Sequence, residues 1–235
     1  MHGVRQPGGM TGKVLGSFMR KGLFRRKVDT LLGIDISDAA IRLVELRLDP
    51  AGYSVAGYAI HGLPARAVVD GAFLDFEGIG QALRAALPRV QATSRRAAVA
   101  VSGPSVITRL IELEAGLAEE EMAGVVEREA EQYIPYPLDD MAFDFQVQGR
   151  SVADPTRVEV LLAACLKEHV EAREAVLAMA GLVPAVVDVE AFAMARASSQ
   201  DFASFTSGHR VDGAQWAMDA QGMGIACGLA LRSFA

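Results

Sequence analysis

Two strands joined by a short polar turn are predicted between residues 31 and 46, and this stretch constrains the fold more than any other. The first part is an apolar run that ends near Asp35, and the second alternates between apolar and polar residues, as a half-buried strand does. A carboxylate at the end of a buried strand, a turn of small residues and a cation beyond the turn can together hold a metal-bridged phosphate. A plain hairpin at a sheet edge gives the same pattern, so both interpretations stay open here. The candidate phosphate-binding residues are Asp35, Ser37, Asp38 and Arg42.

The charge of the chain is unevenly distributed. Of its 235 residues, 51% are hydrophobic, which is enough for a large core in one or two domains. The net charge is −6, but residues 1–27 contain seven Lys or Arg and no acid, which leaves 16 cations and 29 acids for the rest of the chain. Because the chain after residue 27 is so acidic, we expect no nucleic-acid binding there. The basic tail is the only predicted contact for an anionic partner.

Residues 1–30 are predicted to be a disordered basic tail, because they lack hydrophobic periodicity. Met19–Lys27 combines cations with Leu23 and Phe24, a composition that can touch anionic lipid but is too short to anchor a protein by itself. A solvated tail is the alternative. Met1, Met10 and Met19 are all candidates for the natural start.

The cysteines and histidines argue against several classes of function. Cys165 and Cys227 lie in separate apolar runs, which indicates buried thiols in a reducing compartment. The four histidines lack metal-ligand spacing, and no nucleophile motif such as GxSxG is present, so neither a metal site nor catalytic residues are expected. No apolar run reaches the roughly 18 residues needed to cross a bilayer. We therefore expect a cytoplasmic protein without a transmembrane segment.

The remaining periodicity predicts an α/β protein with a second unit inserted into the first. The predicted helices are Glu77–Leu87, a helix that begins at Glu119 and ends at Pro135 and Pro137, Glu168–Ala180 and Glu190–Ala197. The predicted strands after the hairpin are Tyr53–Ile60, Arg96–Val101, Ser105–Leu113, about 141–148, 157–165 and Leu182–Val189. Residues 199–215 are polar with little periodicity.

A short segment around two prolines is a candidate for peptide binding. Two prolines separated by one aromatic residue give a rigid, partly apolar turn, which suits the capture of a peptide. A simple helix stop explains the pattern equally well. The residues concerned are Tyr133, Pro135, Tyr136, Pro137 and Leu138.

Several motifs occur in an order that resembles a known family. They are residues 31–37 (LLGIDIS), 41–46 (IRLVEL), 131–138 (EQYIPYPL), 160–165 (VLLAAC), 180–182 (AGL) with 187–190 (VDVE), and 225–234 (IACGLALRSF). In this order they resemble the type IV pilus assembly proteins of the PilM family, which are actin-like and related to the cell-division protein FtsA.

The resemblance implies an actin-like (ribonuclease H-like) α/β lobe with an inserted strand-helix-strand-strand (SHS2) subdomain. Residues 31–104 and 158–200 would form subdomain 1A, and residues 105–157 would form the inserted subdomain 1C. Family members bind ATP with Mg between two lobes. They also hold the N-terminal cytoplasmic peptide of PilN in a groove between 1A and 1C.

The sequence departs from the family in its second half. No second Asp-containing phosphate hairpin and no Gly-Gly adenosine turn follow Asp188. Near Ser199–Phe202, where a family member would enter its second lobe, this chain continues instead to the family's C-terminal segment. We therefore expect the second lobe to be missing, with residues 201–235 packed on 1A and Met223–Leu231 helical. In the hairpin, Ser37 replaces a glycine, Asp38 adds negative charge and Arg42 replaces a lysine, so no cofactor is expected.

The resemblance thus implies a non-enzymatic adaptor, peripheral at the inner membrane, that binds PilN and through it the inner-membrane alignment complex. Self-association into a homo-oligomer is a further expectation. Two alternatives remain at this stage. One is an actin-like ATPase completed by a second chain, and the other is a non-functional gene fragment with an exposed apolar surface.

Overall fold

The computed structural model describes residues 30–104 and 106–234, which form two compact units. The predicted tail therefore lies outside the described residues except for Thr30. In chain order the described elements are β1 (Leu32–Ile36), β2 (Ala40–Asp49), β3 (Gly52–Gly62), β4 (Val68–Val69), β5 (Ala72–Phe73), α1 (Phe76–Val90), β6 (Arg96–Val101), β7 (Ile107–Glu114), α2 (Glu119–Ala130), β8 (Met141–Arg150), β9 (Arg157–Leu166), α3 (Lys167–Met179), β10 (Val183–Val189), α4 (Glu190–Ser199), β11 (Thr206–Ser207), α5 (Gly213–Asp219) and α6 (Gly224–Ala230).

The larger unit comprises residues 30–104 and 168–234 and contains a six-stranded mixed sheet in the order β10-β6-β1-β2-β3-β11. Strands β10, β6 and β1 run parallel, whereas β2 pairs antiparallel with both β1 and β3. The carboxyl ends of the three parallel strands therefore lie at the same edge of the sheet. This is the edge at which open α/β sheets bind their ligands.

Both faces of this sheet are covered. Val44 pairs with Gly33 and Tyr58, and this face carries α6. The neighbouring residue Glu45 points to the opposite face, where Gly57 lies against the last turn of α1. Glu45 is buried there and accepts hydrogen bonds from the backbone N–H groups of Thr93 and Ser94, so it fixes the loop that follows α1.

The C-terminal segment supplies much of the core on the first face. α6 contacts β1, β2, β6 and α4. The sequence did not predict α5, whose single buried residue, Trp216, packs edge-on against Tyr58. Asp212 begins α5 by accepting hydrogen bonds from the first-turn N–H groups, as a good N-cap residue does. The buried part of this cluster is Val44, Leu46, Val55, Ala197, Phe205, Trp216, Ala220, Met223, Ala226, Cys227, Ala230 and Leu231.

The smaller unit, residues 106–167, has the strand-helix-strand-strand order β7-α2-β8-β9 and a three-stranded antiparallel sheet in the order β7-β9-β8. The predicted boundary at residue 157 is wrong, because β9 lies between β7 and β8 and pairs with both. Removing β9 from the unit would leave two strands with no common neighbour. The unit therefore continues to Lys167.

The helix of the smaller unit is shorter than predicted. α2 ends at Ala130, before either proline, and residues 131–133 continue as a turn. The N–H groups of Tyr133 and Ile134 both donate to the Ala130 carbonyl, so this turn closes the helix. Pro137 instead precedes a 3-10 turn at Leu138–Asp140. In the two described ranges, no helix has both the length and the apolar character that a membrane crossing requires.

Candidate functional site

The hairpin between β1 and β2 closes on itself through side chains. Asp35 and Arg42 are direct cross-strand partners, and Arg42 Nη1 lies 3.1 Å from Asp35 Oδ2. The same nitrogen lies 3.2 Å from Ser37 Oγ, which donates a hydrogen bond to the carbonyl of Ala40. Asp38 is exposed at the turn. The structure therefore brings three of the four predicted residues together and leaves Asp38 outside the cluster.

Asp35 sits in an unfavourable place for a charge. Burial raises the pKa of this carboxyl from 3.8 to about 6, against the opposing effect of Arg42, and the negative charge of Glu190 raises it further. Its side chain is 8% exposed, whereas that of Arg42 is 24% exposed. The ion pair is thus open to solvent on the arginine side only.

A second carboxylate, Asp188, lies near the carboxyl end of β10, at the same edge of the sheet as Asp35. The pairing of β1 with β6 runs to Ile34 and Val99, and Asp188 pairs with the next residue of β6, Ala100. The strands of the two carboxylates therefore lie about 10 Å apart. Asp188 is 5% exposed and lies 3.0 Å from Arg196 of α4 and 3.9 Å from Arg232. The arginine partners of Asp188 could not be predicted from the sequence, because pairs formed between distant elements have no spacing signature.

These residues do not fit a nucleotide phosphate as they stand. Arg42 is already paired with Asp35, and the nearest additional charge on the turn is the acidic Asp38. A phosphate would have to separate a buried ion pair and approach a like charge, which is costly at short range. Among the residues that the structure describes, no three His, Cys, Asp or Glu side chains form a group able to hold a metal ion.

The proline segment of the smaller unit presents two aromatic side chains to solvent. Tyr133 is 40% exposed and Tyr136 is 43% exposed, while Ile134 between them is buried in the core of the unit. Pro135 and Pro137 are exposed and Leu138 is half-buried. The five predicted residues therefore lie together on one segment that a buried isoleucine anchors.

Comparison with known proteins decides the family. Residues 33–205 match the family model described as type IV pilus assembly protein PilM. The chain belongs to the PilM family. A solved PilM-PilN type IV pilus biogenesis complex is similar to it, with 28% sequence identity, a TM-score of 0.66 and coverage of 74% of this chain and 51% of the other. This PilM family member thus spans about half the length of that relative.

Two other solved structures show weaker similarity to the chain. One is the cytoplasmic domain of EpsL, an inner membrane component of the type II secretion system of Vibrio cholerae, with 15% identity, coverage of 69% of this chain and 58% of the other, and a TM-score of 0.47. The other is the ethanolamine utilization protein EutJ from Carboxydothermus hydrogenoformans, with 17% identity, coverage of 72% and 39%, and a TM-score of 0.37. The similarity to the PilM-PilN complex and the sheet topology confirm the expected fold class, an actin-like α/β lobe with an inserted strand-helix-strand-strand unit.

Proposed function

We propose that this PilM family member is an adaptor that binds the N-terminal cytoplasmic peptide of PilN on the cytoplasmic side of the inner membrane. Through PilN it would connect the pilus machinery to the inner-membrane alignment complex. The observation that carries the proposal is the similarity to a PilM-PilN complex across 74% of the chain. The family match, residues 33–205, includes the whole smaller unit and most of the larger one, which supports a role of the same kind.

We propose that the proline segment of the smaller unit forms part of the surface that binds this peptide. Tyr133 and Tyr136 support this role, because exposed aromatic side chains held by a rigid backbone lose little entropy when a peptide packs against them. Pro135 and Pro137 supply that rigidity, and Leu138 adds apolar surface.

Titration calorimetry of the full chain with a PilN N-terminal peptide tests the proposal. We expect binding, and we expect Tyr136→Ala to weaken it about 10-fold or more, since truncated aromatic hot spots cost about 2 kcal/mol. Met218→Ala is the control, because Met218 is exposed on α5 in the other unit. Absence of binding by the parent chain, with the fold intact by circular dichroism, would reject the adaptor function.

We further propose that this chain works without a nucleotide cofactor and without ATPase activity. The closed Asp35–Arg42 pair and the exposed charge of Asp38 support this. Titration with Mg-ATP up to millimolar concentrations should give no saturable heat. Micromolar affinity would instead favour an actin-like ATP-binding protein, with a second chain supplying the other half of the site.

A further inference from the structure

The three-stranded sheet of the smaller unit has one covered face and one open face. Ile111, Val160 and Leu162 point toward α2 and are buried with it. Alternate residues of the same strands point the other way. On that side Leu110 is 58% exposed and is the direct cross-strand partner of Leu161. An apolar pair is therefore presented to solvent in the middle of a sheet face.

Beside this pair stand two acids in an unfavourable arrangement. Glu112 and Glu159 are direct cross-strand partners, and like charges in this position destabilise a sheet. Arg157 lies 3.9 Å from Glu112 and compensates one of them. Glu159 has neither a hydrogen bond nor an ion pair with any residue the structure describes. We call Leu110, Glu112, Glu159 and Leu161 the open face.

We propose that the open face binds the chain's own basic segment, Met19–Lys27. The sequence of this segment, MRKGLFRRK, places Leu23 and Phe24 between two groups of cations. Its two apolar residues match the leucine pair. Its cations match Glu159 and the neighbouring Glu112, which already contacts Arg157 and accepts a hydrogen bond from Ser151. Residues 1–27 contain seven cations and no acid, in a chain whose remainder is strongly acidic, so this is the segment whose charge best complements the face.

Charge pairing favours this contact more than buried area does. Burying Leu110 also removes apolar surface from water, which favours binding. A cation placed between Glu112 and Glu159 replaces a repulsion with two attractions. Because these charges lie near the surface, the attraction is screened by salt, so the segment should be released as ionic strength rises. The open face would then become available to other ligands, and this inference does not depend on PilN binding.

Carbodiimide coupling of the full chain, read by peptide mass spectrometry, tests the contact directly. Lys21 and Lys27 are the lysines of the segment, and we expect them to couple to Glu112 or Glu159. Glu119, Glu120 and Glu121 at the start of α2 serve as the internal comparison, since they are exposed and acidic but lie off the open face. Coupling to these three acids at an equal or higher yield would overturn the proposal. An equimolar mixture of ¹⁵N-labelled and unlabelled chain shows whether the contact forms within one molecule or between two, and either result supports it.

Trypsin cleavage after Arg25 and Arg26 gives a second readout. A bound segment is protected, so Glu159→Gln and Leu110→Ser should each speed cleavage several-fold at low salt, while Glu120→Gln should not. Equal cleavage rates in all four proteins would contradict the proposal. A second result would also contradict the proposal: no coupling to the open face, combined with binding of the full chain to vesicles that contain phosphatidylserine. The segment would then be a lipid contact.

Discussion

Two residues of β1, Gly33 and Asp35, have different structural roles on the same face of the sheet. A Cβ atom at Gly33 would lie 2.0 Å from the Ala226 carbonyl oxygen and 2.7 Å from the Ala230 nitrogen, so the missing side chain lets α6 approach the strand. Asp35, two residues later, carries the ion pair with Arg42. The first residue thus determines packing and the second determines charge at the carboxyl edge.

Gly33→Ala should destabilise the larger unit strongly. Both close contacts are with backbone atoms of α6, which cannot move aside as a side-chain tip can, and overpacking of a core costs about 1–3 kcal/mol or more. Chemical denaturation followed by Trp216 fluorescence measures the free energy of unfolding. Gly62→Ala is the matched control, since nothing lies within 4 Å of a Cβ atom there. A similar effect of the two substitutions would show that α6 does not depend on this contact.

Asp35 should make the protein more stable as the pH falls from 7 to 5. Burial raises the pKa of its carboxyl to about 6, so the folded state takes up a proton before the unfolded state does. The contribution of Asp35 to the free energy of unfolding is complete below the pKa of this carboxyl in the unfolded state, and it is lost as the pH rises through about 6. The difference in unfolding free energy between pH 5 and pH 7 should be about 1 kcal/mol more favourable in the parent chain than in Asp35→Asn. Identical pH profiles of the two proteins would show that protonation of Asp35 is not linked to folding between pH 5 and pH 7.

The elements that could be predicted from sequence were those with strong local periodicity. β6 has the predicted bounds, Arg96–Val101, and α4 begins at the predicted Glu190. α5 was missed because only Trp216 of its seven residues is buried, which leaves no periodic pattern. The boundary at residue 157 was implied by the family resemblance and not by the periodicity of the chain, and the smaller unit continues to Lys167. Asp35 and Arg42 lie together on the predicted hairpin, but their closure as an ion pair follows from strand register, which the sequence does not specify.

Asp188 holds three elements together and should be sensitive to neutral substitution. It carries the charge that Arg196 of α4 and Arg232 near the C-terminus both face. Asp188→Asn leaves two partly buried cations without that charge, at a cost of about 3 kcal/mol. Thermal denaturation compares it with Glu77→Gln, which removes the exposed Arg84–Glu77 pair and should change stability by less than about 1 kcal/mol. Equal losses in the two variants would mean that Asp188 contributes no more than a surface charge.

At the scale of the whole molecule, each unit has its own hydrophobic core. The smaller unit has a cluster between its sheet and α2, and the larger unit has clusters on its six-stranded sheet. The chain contains one tryptophan, Trp216, in the larger unit. Its fluorescence therefore reports on the larger unit, whereas far-ultraviolet circular dichroism reports on both.

Matched leucine substitutions should separate the unfolding of the two units. Leu162→Ala in the smaller unit and Leu229→Ala in the larger each remove a fully buried side chain, which costs about 2–5 kcal/mol. We expect Leu229→Ala to shift the fluorescence midpoint in urea and Leu162→Ala to shift only part of the circular dichroism transition. A common shift of both signals in both variants would indicate a single cooperative molecule.

The pairing of Ile107 with Ala164 brings the first and last strands of the smaller unit side by side at their outer ends. A domain whose entry and exit points are neighbours can be exchanged as a cassette, because a replacement needs only to present two adjacent ends and no connection has to be rethreaded. Evolution could thus change what such a protein recognises by replacing one module, while the sheet that carries it keeps its sequence and its own core.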